Sequence, residues 1–217
     1  MAATNLRDSV TVTRTKIWKG TFRLVVSDPD EYTSFPGRIE SVIATSASDD
    51  DKYTLASGLT DLGPTTTDGL TVRRTAELSD GIELDQRRTN LDEGEPDTWA
   101  MSCEATLRHT DLDNFGIAWE GGTQRTHAAN GTHVAQHSLA LDAPQEFTAR
   151  MLFAVQEDPS NGNMRVFAFR DATPAVDSES VLGRTEATNL PLTMTLRADT
   201  SIDENSGQFG MIFEEDA

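Results

Sequence analysis

The feature that most constrains this chain is a two-residue period of apolar side chains. In TWAMSCEATL, residues 98–107, Trp99, Met101, Cys103, Ala105 and Leu107 fall on one face. Thr98, Ala100, Ser102, Glu104 and Thr106 fall on the other. Successive side chains of a strand point to opposite faces, so five consecutive matches predict a half-buried strand. The period recurs. It appears at Val10 and Val12, in TFRLVV at 21–26 and in RIESVIA at 38–44. FTARMLFAV places Phe147, Ala149, Met151, Phe153 and Val155 together, and NLPLTMTLRA does the same for Leu190, Leu192, Met194 and Leu196. GQFGMIF alternates Phe209, Met211 and Phe213 near the C-terminus. Between FTARMLFAV and NMRVFAFRDA stands DPSNGN, a turn cluster that predicts a hairpin. The fold class expected is mainly β, a β-sandwich or partly closed β-barrel.

One segment breaks the period. In HTDLDNFGIAWEGG, residues 109–122, Leu112, Phe115, Ala118 and Trp119 follow at helical spacing. Thr110 is placed to N-cap, Asp111 and Asp113 sit where the helix dipole favours anions, and Gly121 and Gly122 stop the element. This predicts one helix of about three turns flanking the sheet. Three stretches predict extended loops: 27–37, with two Pro; 45–52, with Asp49, Asp50 and Asp51 in a row; and the acidic 80–97 region. No composition break or repeat divides the chain, so residues 1–217 are expected to form a single domain. In the stretch from Asp61 to Gln86, Gly63, Gly69 and Gly81 predict turns between short apolar alternations.

Charge narrows the function classes. The chain carries 36 acids against 18 Lys and Arg, a net charge of −18. Phosphate binding needs clustered cations, so such a surface repels nucleic acid and anionic membranes. The same excess also suits solubility or a salty habitat. No run approaches the ~20 apolar residues of a membrane span, and MAATNLRDSVTVT lacks the apolar core of a secretory signal. A single cysteine, Cys103, excludes an intrachain disulfide and reads as a small core residue.

Motifs for chemistry are missing. His133 and His137 are four apart, as in some zinc helices, but Asn130-Gly131 between His127 and His133 predicts a turn and strand instead. Asp49 to Asp51 lack the alternation, central Gly and closing Glu of a calcium loop. No phosphate loop or nucleophile elbow occurs, and Gly121-Gly122 follows a helix rather than opening one. No cofactor or metal is expected, and an enzyme is not.

The segment GLTDLGPTTTDGLTVRRTAELSDGIELDQ, 58–86, resembles one in the major tail tube proteins of long flexible-tailed bacteriophages. There a D-L-G turn leads to a D/E-G-(I/V/L)-T strand start and then to an acidic I-x-x-D-Q run. The matching positions are Thr60-Asp61-Leu62-Gly63, Asp68-Gly69-Leu70-Thr71 and Ile82-Glu83-Leu84-Asp85-Gln86. The order continues with the strand at 99–107 and a helix in which Leu112, Asn114, Phe115 and Ala118 match the family pattern. It closes with the strands at 166–172 and 190–194. The resemblance spans residues 58–213.

It implies a subunit that forms homo-hexameric rings stacking into a tail tube, with strands of each subunit joined in a β-barrel around the lumen. Type VI secretion tube proteins share that fold. The expected partners are further copies of the chain and the tape measure, tail tip and tail terminator proteins. DNA passes without specific binding, and no membrane insertion is expected. The location implied is the virion tail, after assembly in the host cytoplasm. Within this reading the 80–97 region is a long hairpin or loop at a subunit or ring contact, or else a solvated tip. Candidate contacts there are Asp80, Asp85, Gln86, Arg87, Arg88, Asp92 and Glu93, the two arginines pairing with a neighbour's carboxylates. Asp49, Asp50 and Asp51 are further candidates. The alternatives are a single-ring component of the same fold, such as a tail terminator, and a ligand-binding β-sandwich. The latter needs an exposed aromatic platform, for which Trp18 is the free candidate once Trp99 and Trp119 are assigned to the core.

Overall fold

The computed structural model describes residues 22–44, 54–78, 83–84, 89–90, 96–120, 123–141, 147–157, 163–175, 189–203 and 206–215. The chain is mainly β with one α-helix. Six long strands carry the architecture: β1 (Phe22–Ser27), β4 (Leu59–Leu78), β7 (Pro96–Leu107), β10 (Arg150–Glu157), β11 (Met164–Pro174) and β12 (Leu190–Arg197). Neighbours run in the order β10-β1-β4-β7-β12-β11, and β11 pairs back onto β10. All six of these pairings are antiparallel, so the sheet closes on itself. Closure removes the open edges that an isolated sheet would present. β13 (Gly210–Glu214) adds outside the ring along β11, where an Arg165–Glu214 ion pair at 2.7 Å ties the two. The expected partly closed barrel is therefore a ring of six strands with a seventh attached.

The barrel interior is the main core. Leu24 and Val26 of β1, Cys103, Ala105 and Leu107 of β7 and Leu152 and Ala154 of β10 meet there with all four predicted leucine-face residues of β12. The period-two readings of β7 and β12 hold because each strand turns one face inward. β10 differs: Met151, Phe153 and Val155 face outward but are also covered. A second layer lies over that outer face of β1, β10 and β11. It is built by Tyr32, Phe35, Ile39, Val42, Ile43, Leu55 and Leu59. RIESVIA is not a strand. Ile39–Ser41 forms one turn of 3-10 helix, and only β2 (Ile43–Ala44) pairs, with β3 (Thr54–Leu55). Ile39, Val42 and Ile43 reach the covered face as a short helical turn, which presents such spacing better than a strand does.

The turns expected at Gly63 and Gly69 are not turns. Both lie inside the 20-residue β4, at φ 89 and 74. β4 pairs β1 through residues 59–64 and β7 through residues 65–78, so one strand serves two neighbours. At the first kink Leu24 pairs Gly63 while Val25 pairs Asp61, leaving Leu62 as an extra residue that drops into the core. Asp61 organises this bulge. Its Oδ1 accepts the Gly63 N–H at 2.8 Å, and both its oxygens accept from Arg23 Nε, at 2.9 and 2.8 Å. The D-L-G sequence is thus a bulge signature, with a carboxylate to hold it, an apolar extra residue and a glycine for positive φ. At the second kink residues 66–69 bulge opposite Thr106 alone.

The helix α1 (Leu112–Ala118) is seven residues, two turns rather than three. Its N-cap is Asp111, not Thr110: Asp111 Oδ1 accepts the Asn114 N–H at 2.8 Å. Glu120, at φ 48, takes the left-handed conformation ahead of the glycines and ends the element early. Ala118, Phe115, Ile117 and Trp119 pack on the barrel core. Buried Asn114 fastens the helix to the Leu62 bulge, its Nδ2 donating to Leu62 O and to His109 O at 2.9 Å each.

The strand expected from Phe147 begins at Arg150, and Phe147 itself is exposed. Near the C-terminus Phe209 packs on the barrel core and Phe213 on the outer layer, but Met211 between them is exposed. β10 and β11 pair antiparallel as the hairpin reading expects; the 158–162 turn, the Val10–Val12 alternation and Trp18 lie outside the described residues.

Candidate assembly interface

The β4–β7 pair outruns its neighbours. β1 reaches only to Pro64 on β4, and β12 only to Met101 on β7. Beyond those rungs the pairs Thr75↔Ala100, Ala76↔Trp99, Glu77↔Thr98 and Leu78↔Pro96 have no third strand among the described residues. The five residues 96–100 alone carry the arm roughly 17 Å past the barrel, at ~3.4 Å per residue. Between β4 and β7 in the sequence, β5 (Glu83–Leu84) and β6 (Thr89–Asn90) pair as Glu83↔Asn90 and Leu84↔Thr89. In chain order that pairing nests between β4 and β7.

Residues 71–76 of β4, which lead into the arm, are all exposed. Trp99, expected in the core, is 44% exposed, and Val72 is 40% exposed. Its alternation is real, since Trp99 shares a face with Met101 and Cys103, but the barrel ends before it. The Arg74 guanidinium lies 3.8 Å above the Trp99 ring. A cation over an indole face contributes ~0.5–1 kcal/mol at an exposed site. Two-stranded ribbons are marginal in water, and this one leaves Trp99 exposed. The signal for this in the sequence is position: Trp99 ends its alternation nearest the acidic 92–97 run.

Asp80, Asp85, Gln86, Arg87, Arg88, Asp92 and Glu93 fall between or beyond the described pairs of this arm, outside the described residues, as do Asp49, Asp50 and Asp51. In chain order residues 85–88 stand between β5 and β6.

A cleft of ≈ 440 Å³ lies where β1 ends and β10 begins, lined by Ser27, Tyr32, Arg150, Arg170, Asp171 and Asp199 among others. Its arginines serve the fold. Arg170 Nε donates to Gly207 O at 2.9 Å, with its guanidinium 3.8 Å over Phe35, and Arg150 Nη1 reaches Ser27 O at 3.4 Å. Asp199 is held below the usual carboxylate range, first by the Ser201 hydroxyl and then by the Ser201 N–H. Among the described residues no three His, Cys, Asp or Glu side chains converge as metal ligands would. His133 sits in a turn, bridged to Asn130, and His137 lies on a strand, so their spacing is not helical. Cys103 is buried, and desolvation pushes its thiol up to about 12.

No family model matches the chain, and no curated protein matches it in sequence.

Proposed function

We propose that this chain is a tail tube subunit of a long flexible-tailed bacteriophage, a structural protein that stacks as hexameric rings around a DNA conduit. The observation that carries the reading is the β4–β7 arm. It is a two-stranded projection with Trp99 exposed on it and Val72 exposed on the stretch of β4 that leads into it, and it lies within the segment whose order of motifs resembles the tube family. In a ring, contacts are heterologous: one patch of a subunit meets a different patch of the next, and rotation closes the circle. An arm leaving a rigid barrel provides the first patch. Arg73 and Arg74 at its base, with Arg87 and Arg88 between β5 and β6 in the sequence, give it cations to meet a neighbour that carries 36 acids.

The tape measure, tail tip and terminator proteins are the partners in this reading, and the virion tail is the location. The net charge of −18 would let DNA slide through without adhering, because duplex DNA carries one negative charge per ~1.7 Å of its axis. Trp99→Ser tests the arm. Trp99 is already partly exposed, so the folded monomer should lose about 1 kcal/mol or less. Tube growth should stop. Deleting residues 89–95 should act alike. A Trp99→Ser protein that polymerises as the wild type does would refute the role assigned to the arm.

A further inference from the structure

A second exposed hairpin stands apart from the arm. β8 (Gln124–His127) pairs β9 (Gln136–Leu139) and nothing else among the described residues. It is rooted on α1: Gln124 Nε2 donates to Asp113 Oδ1 at 2.6 Å, and β9 packs along the helix. Every residue from 123 to 138 is exposed. Two cross-strand contacts stiffen it, Thr126 Oγ1 with His137 Nδ1 at 3.2 Å and His127 Nε2 with Ser138 Oγ at 3.1 Å.

Its composition is the anomaly. Between Glu120 and Asp142 there is no acid at all, although 36 acids in 217 residues would place about three in a run of that length. Arg125 is the one formal charge, and three of the four histidines, His127, His133 and His137, lie here. Val134 and Leu141 are 78% and 69% exposed. A free surface on so acidic a chain has every reason to carry carboxylates. Depletion of charge with exposed apolar residues is instead the composition of an interface centre.

We propose that the β8–β9 hairpin docks on the acidic surface of a second copy of this chain. Charge selects that occupant. Two bodies of −18 repel wherever their acids come within a Debye length, ~8 Å at physiological salt. The hairpin is a face one copy can present without adding acids, and Arg125 and the imidazole N–H groups are donors for the neighbour's carboxylates. The inference rests on self-association, as the tube reading does, but it assigns a contact separate from the arm.

The test uses the full chain with Arg125→Glu, Thr132→Glu and His133→Glu together, which adds three acids and leaves both cross-strand side-chain contacts intact. Unchanged urea midpoints establish that the variant folds. Sedimentation velocity should show self-association weakened at least tenfold. Hydrogen exchange on wild-type assemblies should show the amides of 124–139 slowed at least tenfold relative to dissociated protein. Wild-type assemblies that form while these amides stay unprotected overturn this inference and leave the tube reading standing, and so does a variant that associates with wild-type strength. A wild-type chain that remains monomeric at all concentrations overturns both.

Discussion

Asn114 gives the sharpest test of how the barrel holds its helix. It is 2% exposed, and its Nδ2 bridges Leu62 O in the β4 bulge and His109 O before the helix, at 2.9 Å each. Asn114→Ala removes both bonds at once. Each contributes ~0.5–1.5 kcal/mol net, and a buried carbonyl left without a donor costs ~1–3 kcal/mol. The expected loss is about 2–4 kcal/mol. For a chain of this length ~1 kcal/mol moves the midpoint by 2–4 °C, so thermal unfolding should fall by roughly 5–15 °C. Asn114→Asp should do no better, because its carboxylate would face two carbonyl oxygens. Asp111→Ala is the comparison: it removes only the helix cap, for ~1 kcal/mol. Urea unfolding at pH 7 reads all three. If Asn114→Ala lies within ~0.5 kcal/mol of wild type, the bridge does not secure the helix.

Three further outcomes follow from the same geometry. Gly63→Ala should cost about 1–2 kcal/mol for the left-handed backbone, and more if the His109 ring, which a Cβ there would strike, cannot swing aside; equal stability of the two proteins in urea would refute the bulge. Cys103 should resist thiol reagents at pH 8 until the protein unfolds, and prompt labelling of native protein would contradict its burial. Its pKa is raised in the fold from 9.0 to about 12. The stability from the neutral thiol is therefore complete below pH 9 and is lost as pH rises toward 12, because the unfolded thiol ionises first. Cys103→Ala should flatten that alkaline decline, seen by comparing urea midpoints at pH 7 and pH 10.

The sequence made legible those strands that bury one face. Leu190, Leu192, Met194 and Leu196 all point into the barrel, and so do Met101, Cys103, Ala105 and Leu107. Where both faces are covered the period loses its meaning, as in β10, where Leu152 and Phe153 are equally buried on opposite sides. Gly63 and Gly69 misread as turns because positive φ serves a bulge as well as a reversal, and spacing alone does not separate the two. Asp111 displaced Thr110 as the cap because its carboxylate reaches the Asn114 N–H. Trp99 shows the remaining difficulty. Alternation reports which face a residue takes, but not whether the sheet's cover extends that far. The β8–β9 hairpin carried its signal in what it lacked, and an absence of acids is conspicuous only against the charge of the whole chain.

The proposed function requires the folded chain to assemble through its arm into rings and then a tube. Electron microscopy of the purified full-length protein, concentrated at physiological salt, addresses it directly. Six-fold rings and stacked tubes of uniform width are the expected result. Rings that never stack would instead fit a single-ring tail component, and a field of monomers at every concentration would contradict the account.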